Sequence, residues 1–205
     1  MNNLWIDWAV ELQAIAQAQL YYSKDIYALE HFKRIREIAA EMMGKISDLP
    51  VETVKDLFCN ETGYQTPKLD SRAAIFQGDK ILLVKKKSTN TWSLPGGWVD
   101  VDQSVKSNTL KEVKEEAGLD VAAVKIIAVQ DRNKHNTPRY AYGICKIFVL
   151  CEIISGSFME NTETSESNFF NIGELPELAN EKNTSEQIRM CFDAYYDDNW
   201  VVQFD

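Results

Sequence analysis

The chain has 205 residues, of which 45% are hydrophobic, so it is long enough and apolar enough to fold around a core of its own. Its 31 acidic and 22 basic residues give a formal net charge of -9, which repels a nucleic-acid backbone and argues against nucleic acid as a partner. No run approaches the roughly 18 apolar residues that a membrane helix needs, so no membrane partner is expected.

The first residues and the cysteines predict the compartment. The segment MNNLWIDWAVELQ carries early acidic residues and no basic region, which is not typical of a signal peptide. The cysteines match no zinc-binding spacing; they are Cys59, Cys145, Cys151 and Cys191. We interpret them as free thiols in a reducing environment and expect a cytoplasmic protein.

Three helices are predicted in the first 66 residues. Apolar residues of the first helix recur at three- and four-residue steps and form one stripe: Trp5, Trp8, Leu12, Ile15, Ala16 and Leu20. A second helix is expected to end at Gly44, and Pro50 is expected to open a shorter third one. Three helices bury little surface by themselves, so we expect their apolar stripes to be covered by the rest of the chain or, most simply, in a homodimer.

A glycine and a proline, Gly63 and Pro67, mark a change of pattern. Beyond them, strands are predicted at 72–76, 80–84, 92–94, 124–129, 143–154 and 169–172, with helices at 104–117 and 184–196. These elements do not alternate regularly, which favours an α/β (α+β) domain with a mixed sheet over a doubly wound fold. We therefore predict a helical domain at 1–66 and a second domain at 67–205.

The predicted helix at 104–117 is unusually acidic. Glu112, Glu115 and Glu116 lie within five positions and share one face of the helix. Like charges at this spacing repel each other, and a hard divalent cation would offset that cost because it takes carboxylate oxygens as ligands. The alternative is a solvated acidic face neutralised by Lys111 and Lys114.

A glycine-rich loop precedes this helix. Gly96 and Gly97 allow the backbone to approach a ligand closely, and Trp98 beside them could stack on a ring. A glycine loop followed by an acidic helix predicts a cradle for a cation and a diphosphate. Three lysines, Lys85 to Lys87, follow the predicted strand 80–84; they could face the diphosphate or end a solvated strand.

These segments resemble the box of the Nudix hydrolase family, G-x5-E-x7-R-E-U-x-E-E-x-G-U, in which U is aliphatic. The positions that match in register are Gly97, Glu112, Val113, Glu115, Glu116, Gly118 and Leu119. The resemblance implies a mixed sheet sandwiched between helices, and Mg²⁺, or else Mn²⁺, held by Glu112, Glu115 and Glu116. It also implies a substrate bound near Gly96, Gly97 and Trp98.

Two positions depart from the family pattern. Gln103 stands where the family has its first glutamate, and Lys111 stands where it has its arginine. In the family these two residues commonly pair and steady the loop on the helix. Because Gln103 lacks the charge and Lys111 lacks the bidentate guanidinium, we expect a Gln103–Lys111 hydrogen bond in place of that ion pair.

Residues outside the box extend the resemblance. The segment Trp5–Gln17 is similar to the helical extension of one Nudix subgroup, which hydrolyses nucleoside diphosphates linked to a group X, such as ADP-ribose and CDP-choline. Many Nudix enzymes carry a further catalytic glutamate in a loop like that of Glu163, which could equally be a solvated acid. His135 lies in a basic segment and could contact a phosphate or a base, or remain a surface histidine.

The resemblance therefore implies a Mg²⁺-dependent pyrophosphohydrolase acting on a small nucleotide. Its catalytic residues would be Glu112, Glu115 and Glu163, with either Glu112 or Glu163 taking the proton. Two alternatives stay open: a nucleotide-sensing domain with a regulatory helical domain, and a house-cleaning nucleoside triphosphate pyrophosphatase.

Overall fold

The computed structural model describes residues 3–47 and 50–205. By internal packing the chain divides into two units. The first combines the described residues up to 67 with residues 140–142, and the second combines 68–139 with 143–205. That 1–66 and 67–205 are separate domains stays a prediction.

The first unit is a group of three helices: α1 (Asn3–Tyr22), α2 (Ile26–Ser47) and α3 (Val51–Phe58). Pro50 caps the start of α3, as the sequence indicates. The expected end of the second helix at Gly44 is wrong, because α2 continues to Ser47. Gly44 lies on the buried face of α2 together with Ala40 and Met43, inside the helix and not at its end.

The buried face of α1 differs from the predicted stripe. The fully covered residues are small or amide-bearing: Ala9, Gln13, Ala16 and Gln17. Gln13 donates to the carbonyl of Phe58, the last residue of α3, at 3.4 Å. Gln17 donates to the carbonyl of Gly63, in the segment after α3, at 3.2 Å. The two side-chain amides therefore supply hydrogen bonds to backbone carbonyls. Trp5 and Trp8, which the stripe places inside, are 52% and 43% exposed.

The second unit is built on one mixed sheet of eight strands. The strands are β1 (Lys68–Gln77), β2 (Lys80–Lys86), β3 (Trp92–Ser93), β4 (Gly96–Trp98), β5 (Leu119–Asp131), β6 (Ile144–Gly156), β7 (Thr164–Phe170) and β8 (Gln203–Phe204). The order is β3-β2-β1-β6-β5-β8, with β4 paired to β1 and β7 paired to β2. β1 runs parallel to β6 and antiparallel to β2, to which it is joined by a tight turn at Gly78 (φ +62°).

Two helices cover the two faces of this sheet: α4 (Val105–Ala117) and α6 (Ser185–Tyr196). Val113 and Ala117 of α4 are buried in one apolar cluster, and residues of α6 such as Ile188 and Cys191 are buried in another. The mixed sheet between helices is the fold expected from the resemblance. A short helix, α5 (Arg132–His135), follows β5 and was not expected.

Local signals fix α4 as predicted. The Ser104 hydroxyl accepts from the Ser107 amide at the start, and Gly118 takes the left-handed conformation (φ +70°) at the end. The apolar side of α4 faces the sheet, and Glu116 at the border of that side is also buried. Among the residues that the structure describes, no helix combines the length and apolar character needed to cross a membrane.

Candidate active site

Strand β4 brings glycine backbone against the acidic helix. Gly96 has φ +141°, and a Cβ there would overlap the Ser71 carbonyl oxygen of β1. A Cβ on Gly97 would lie 2.9 Å from Oε2 of Glu112. Gly96 therefore requires glycine for its pairing with β1, whereas at Gly97 the missing side chain lets the Glu112 carboxylate approach closely.

A buried arginine of β1 binds the backbone of strand β4. Arg72 of β1 is 5% exposed, forms a two-point ion pair with Asp70 at 2.8 and 3.2 Å, and donates to the Gly96 carbonyl at 2.6 Å. Burial acts to lower the pKa of Arg72, but the Asp70 carboxylate outweighs it and the pKa is raised, so the side chain stays charged. We did not single out Arg72 from the sequence; the available signal was a charge directly before the apolar run of β1 that begins at Ala73.

The loop between β4 and α4 is anchored by Asn108 of α4. The Asn108 amide donates to the Trp98 carbonyl at 3.1 Å, and its oxygen accepts from the Asp100 amide at 3.1 Å. The expected Gln103–Lys111 hydrogen bond is wrong, because the Lys111 ammonium binds Asp100 at 2.7 Å. An aspartate three residues upstream of Gln103 thus supplies the carboxylate that position 103 lacks.

The acidic residues line one cavity of about 300 Å³, whose walls are Glu112, Glu115, Glu116, Asn161, Thr162 and Glu163. Glu116 is only 3% exposed, and its Oε2 accepts from the Gly96 amide at 3.1 Å. Burial, and then the nearby Glu116 and Glu115, raise the pKa of Glu112 to about 7. A carboxyl group that titrates near neutrality can exchange a proton under working conditions.

The loop before β7 carries Glu163 to this cavity. The Asn161 side chain donates to the Glu115 carbonyl at the end of α4 at 3.0 Å and accepts from the Glu163 and Thr164 amides at 3.0 and 2.8 Å. A single amide therefore ties the loop to the acidic helix. Asn161 was not singled out from the sequence either.

Lys86, at the end of β2, is the cation of the site. Its side chain is 7% exposed, and its ammonium contacts Oε1 of Glu116 and lies 3.0 Å from Oε2 of Glu163. A solvated strand end is therefore the wrong interpretation for Lys86. That interpretation fits Lys87, which is exposed and pairs with Glu160. Lys85 is partly buried and pairs with Glu166.

The residues present suit a hard divalent ion by their chemistry. Carboxylate oxygens are the ligands that Mg²⁺ and Mn²⁺ prefer, and a cation, the Lys86 ammonium, already lies between Glu116 and Glu163. Within residues 3–47 and 50–205, no three His, Cys, Asp or Glu side chains are drawn together closely enough to hold a metal ion. Glu112, Glu115 and Glu116 are thus beside one cavity but are not arranged as a ligand set, and their metal-binding roles stay predictions.

The remaining predicted residues, Gly96, Gly97, Trp98 and His135, are not among those that line this cavity. Trp98 ends β4 and is 47% exposed, next to Gly97. His135 ends α5, and its Nε2 lies 2.6 Å from Oδ2 of Asp205; it does not line the acidic cavity. Binding of substrate by Gly96, Gly97, Trp98 or His135 stays a prediction.

The fold and the site define the class of protein: a mixed sheet between two helices, with an acidic helix face set against a glycine strand. A family model described as a NUDIX domain matches residues 67–190, and one described as a UDP-X-like, N-terminal oligomerisation domain matches residues 3–58. The chain belongs to the Nudix hydrolase family.

Three relatives are similar along most of their length. A Bacillus subtilis (strain 168) protein provisionally named ADP-ribose pyrophosphatase YjhB is 40% identical over 193 residues, which is 94% of this chain and 93% of that protein. The crystal structure of an ADP-ribose pyrophosphatase from Streptococcus suis 89-1591 is 54% identical, with a TM-score of 0.64, over 68% of this chain and all of that one. The crystal structure of a UDP-X diphosphatase is 30% identical, with a TM-score of 0.65, over 98% of both chains.

Proposed function

We propose that this Nudix hydrolase cleaves the diphosphate of a nucleoside diphosphate linked to X, with release of a nucleoside monophosphate and phospho-X. The observation that carries the proposal is the cavity itself, which four glutamates line. Two of them contact the glycine strand β4: Glu116 accepts from the Gly96 amide, and Glu112 lies against Gly97. So many carboxylates in one small space repel an anionic substrate unless a cation joins them. We therefore propose that a divalent metal, Mg²⁺ or Mn²⁺, is required.

Glu112, Glu115 and Glu116 would hold the metal, which when bound neutralises the diphosphate and polarises water. Glu112 is the first candidate for the general base, because it lines the cavity on α4 and its carboxylate lies directly against Gly97. Glu163 is the second, because it lines the same cavity on a separate loop. Gly96, Gly97 and Trp98 would border the bound nucleotide.

ADP-ribose is the leading substrate. Two of the relatives described above carry ADP-ribose pyrophosphatase in their names, and one of them is 54% identical to this chain. UDP-linked compounds are the second candidates, because one similar structure is named UDP-X diphosphatase and the N-terminal family model is described as UDP-X-like. CDP-choline stays in the proposal as the third candidate.

A substrate panel tests the proposal. ADP-ribose, a UDP-sugar, CDP-choline and a set of nucleoside triphosphates are incubated with the protein and Mg²⁺, and products are separated by chromatography. We expect AMP and ribose 5-phosphate from ADP-ribose at a rate well above that with any triphosphate. Faster release of pyrophosphate from triphosphates would instead identify a house-cleaning enzyme, and binding without turnover of any compound would identify a sensor.

The proposed assembly is a homodimer formed through the N-terminal unit. The matching family model is described as an oligomerisation domain, and Trp5 and Trp8 of α1 are both about half exposed. A dimer would cover these rings and could also shape the pocket for X. The four cysteines are unpaired, which supports a reducing, cytoplasmic compartment.

A further inference from the structure

A buried lysine lies at the centre of the acidic site. The strand alternation of β2 turns Lys86 to the same side as Leu82 and Val84, beneath α4, while Lys85 points to the other side. Lys86 is the only one of the three consecutive lysines that is buried, at 6% exposure. A lysine in such a place needs a counter-charge, and it has two: Glu116 and Glu163.

The two carboxylates that bind Lys86 come from different elements. Glu116 is on α4 and is almost fully buried, whereas the Glu163 side chain, on the loop before β7, is 70% exposed. Asn161 fixes the backbone of that loop, whereas the Glu163 carboxylate itself is bound, among the residues that the structure describes, by Lys86. The ammonium therefore sets the position of the second carboxylate relative to the first.

We propose that Lys86 is the resident counter-ion of the metal site: it holds Glu116 and Glu163 together before a metal binds, and it competes with the metal for the same carboxylate oxygens. The inference rests on the proposed function, because it needs these carboxylates to be metal ligands. Lys86 is in this view a positioning residue. It makes the metal-free protein stable at the cost of metal affinity.

Charge gives the physical reason for the competition. Without a cation, Glu116 would be a buried carboxylate beside Glu112 and Glu115, which is an unfavourable arrangement. An ammonium and a divalent ion on the same oxygens would repel each other strongly, because both are positive and the Lys86 and Glu116 side chains are almost fully buried. The metal must therefore displace Lys86 from Glu116.

Metal affinity tests the proposal without any use of activity. Binding of Mn²⁺ alone is measured by electron paramagnetic resonance for the wild type, for Lys86→Met and for the matched control Lys85→Met, whose lysine is the next residue on the strand and pairs with the exposed Glu166. We expect Lys86→Met to bind Mn²⁺ at least about tenfold more tightly than the wild type. We expect its metal-free form to melt earlier, and Lys85→Met to match the wild type in both measurements.

The outcomes separate the inference from the proposed function. If the wild type binds Mn²⁺ but Lys86→Met binds it equally or more weakly, the competition is refuted and Lys86 only packs the site. If the wild type binds no Mn²⁺, the proposed metal-dependent function fails, and the inference fails with it.

A second measurement decides the case if Lys86→Met does not fold. The ¹⁵N-labelled lysine ammonium resonances of the wild type are followed while Mg²⁺ is added, and that of Lys86 is identified by its shift in Glu163→Gln. We expect this resonance to move with the same midpoint as metal binding. A resonance that stays in place while Mg²⁺ saturates the site would overturn the proposal.

Discussion

At the scale of single residues, the site depends on which carboxylates are buried and what each one contacts. Glu116 is bound by the Gly96 amide and by Lys86, whereas Glu115 lies at the cavity mouth on the same turn of α4. The sequence identified the acidic set by its register with the Nudix box. It could not rank the three glutamates, because their burial depends on β2 and β4, which are distant along the chain.

We predict that Glu116→Gln lowers turnover at least about a hundredfold while the fold survives. Loss of one strong electrostatic contact to a reacting centre costs about 3 kcal/mol of transition-state stabilisation. Steady-state kinetics and circular dichroism measure the two effects. The control is Glu166→Gln, which removes a glutamate that pairs with Lys85 outside the cavity. A Glu116→Gln rate within about threefold of the wild type would show that this helix face has no part in catalysis.

The raised pKa of Glu112 predicts how the stability of the metal-free protein depends on pH. The folded protein binds the Glu112 proton up to a pKa of about 7, above the ordinary value of 4.5 in the unfolded chain. Between these two values the folded state holds more protons than the unfolded state, so stability falls as pH rises.

Urea denaturation in EDTA at several pH values tests this expectation. The wild type should lose stability relative to Glu112→Gln as pH rises from about 4.5 to about 7, and the difference should be constant above that range. Parallel curves for the two proteins over the whole range would show that the Glu112 pKa is not raised.

At the scale of elements, the sequence predicted α4 and the two strands that became β1 and β2. Ser104, Gly118 and Gly78 each act within a few residues of their own position, so the sequence alone carries the information. The two-residue strand β8 and the three-residue strand β4 were missed because their pairing partners, β5 and β1, lie far away along the chain. The buried face of α1 was also misjudged, because the polar residues Gln13 and Gln17 are buried there and donate to backbone carbonyls at the end of α3 and after it.

The loop that precedes α4 gives an element-scale prediction. Because Lys111 pairs with Asp100 and not with Gln103, a double-mutant cycle of Asp100→Asn and Lys111→Met should show coupling in stability. Both side chains are about half exposed, so we expect no more than about 1 kcal/mol. Thermal unfolding measures it, and the matched cycle of Gln103→Ala with Lys111→Met should be additive. Coupling to Gln103 in place of Asp100 would contradict the observed pair.

At the scale of the whole molecule, the N-terminal unit leaves two large aromatic side chains of α1 about half exposed. Trp5 and Trp8 contact each other edge to face at 5.1 Å but remain open on their outer sides. We predict a mass of twice 23.4 kDa by light scattering. Trp5→Gln with Trp8→Gln should shift the equilibrium toward monomer, while Trp98→Gln, equally exposed in the other unit, should not. A wild-type monomer at micromolar concentration would contradict the dimer.

The central claim is that the acidic cavity hydrolyses a nucleotide diphosphate only with a divalent metal. Its most direct test is the initial rate of AMP release from ADP-ribose, measured as free Mg²⁺ is raised from zero in a metal-buffered solution. We predict no AMP release in excess EDTA, a saturable rise with Mg²⁺, and full recovery when Mg²⁺ is returned to the EDTA-treated protein. Release of AMP at an undiminished rate in excess EDTA would contradict the account.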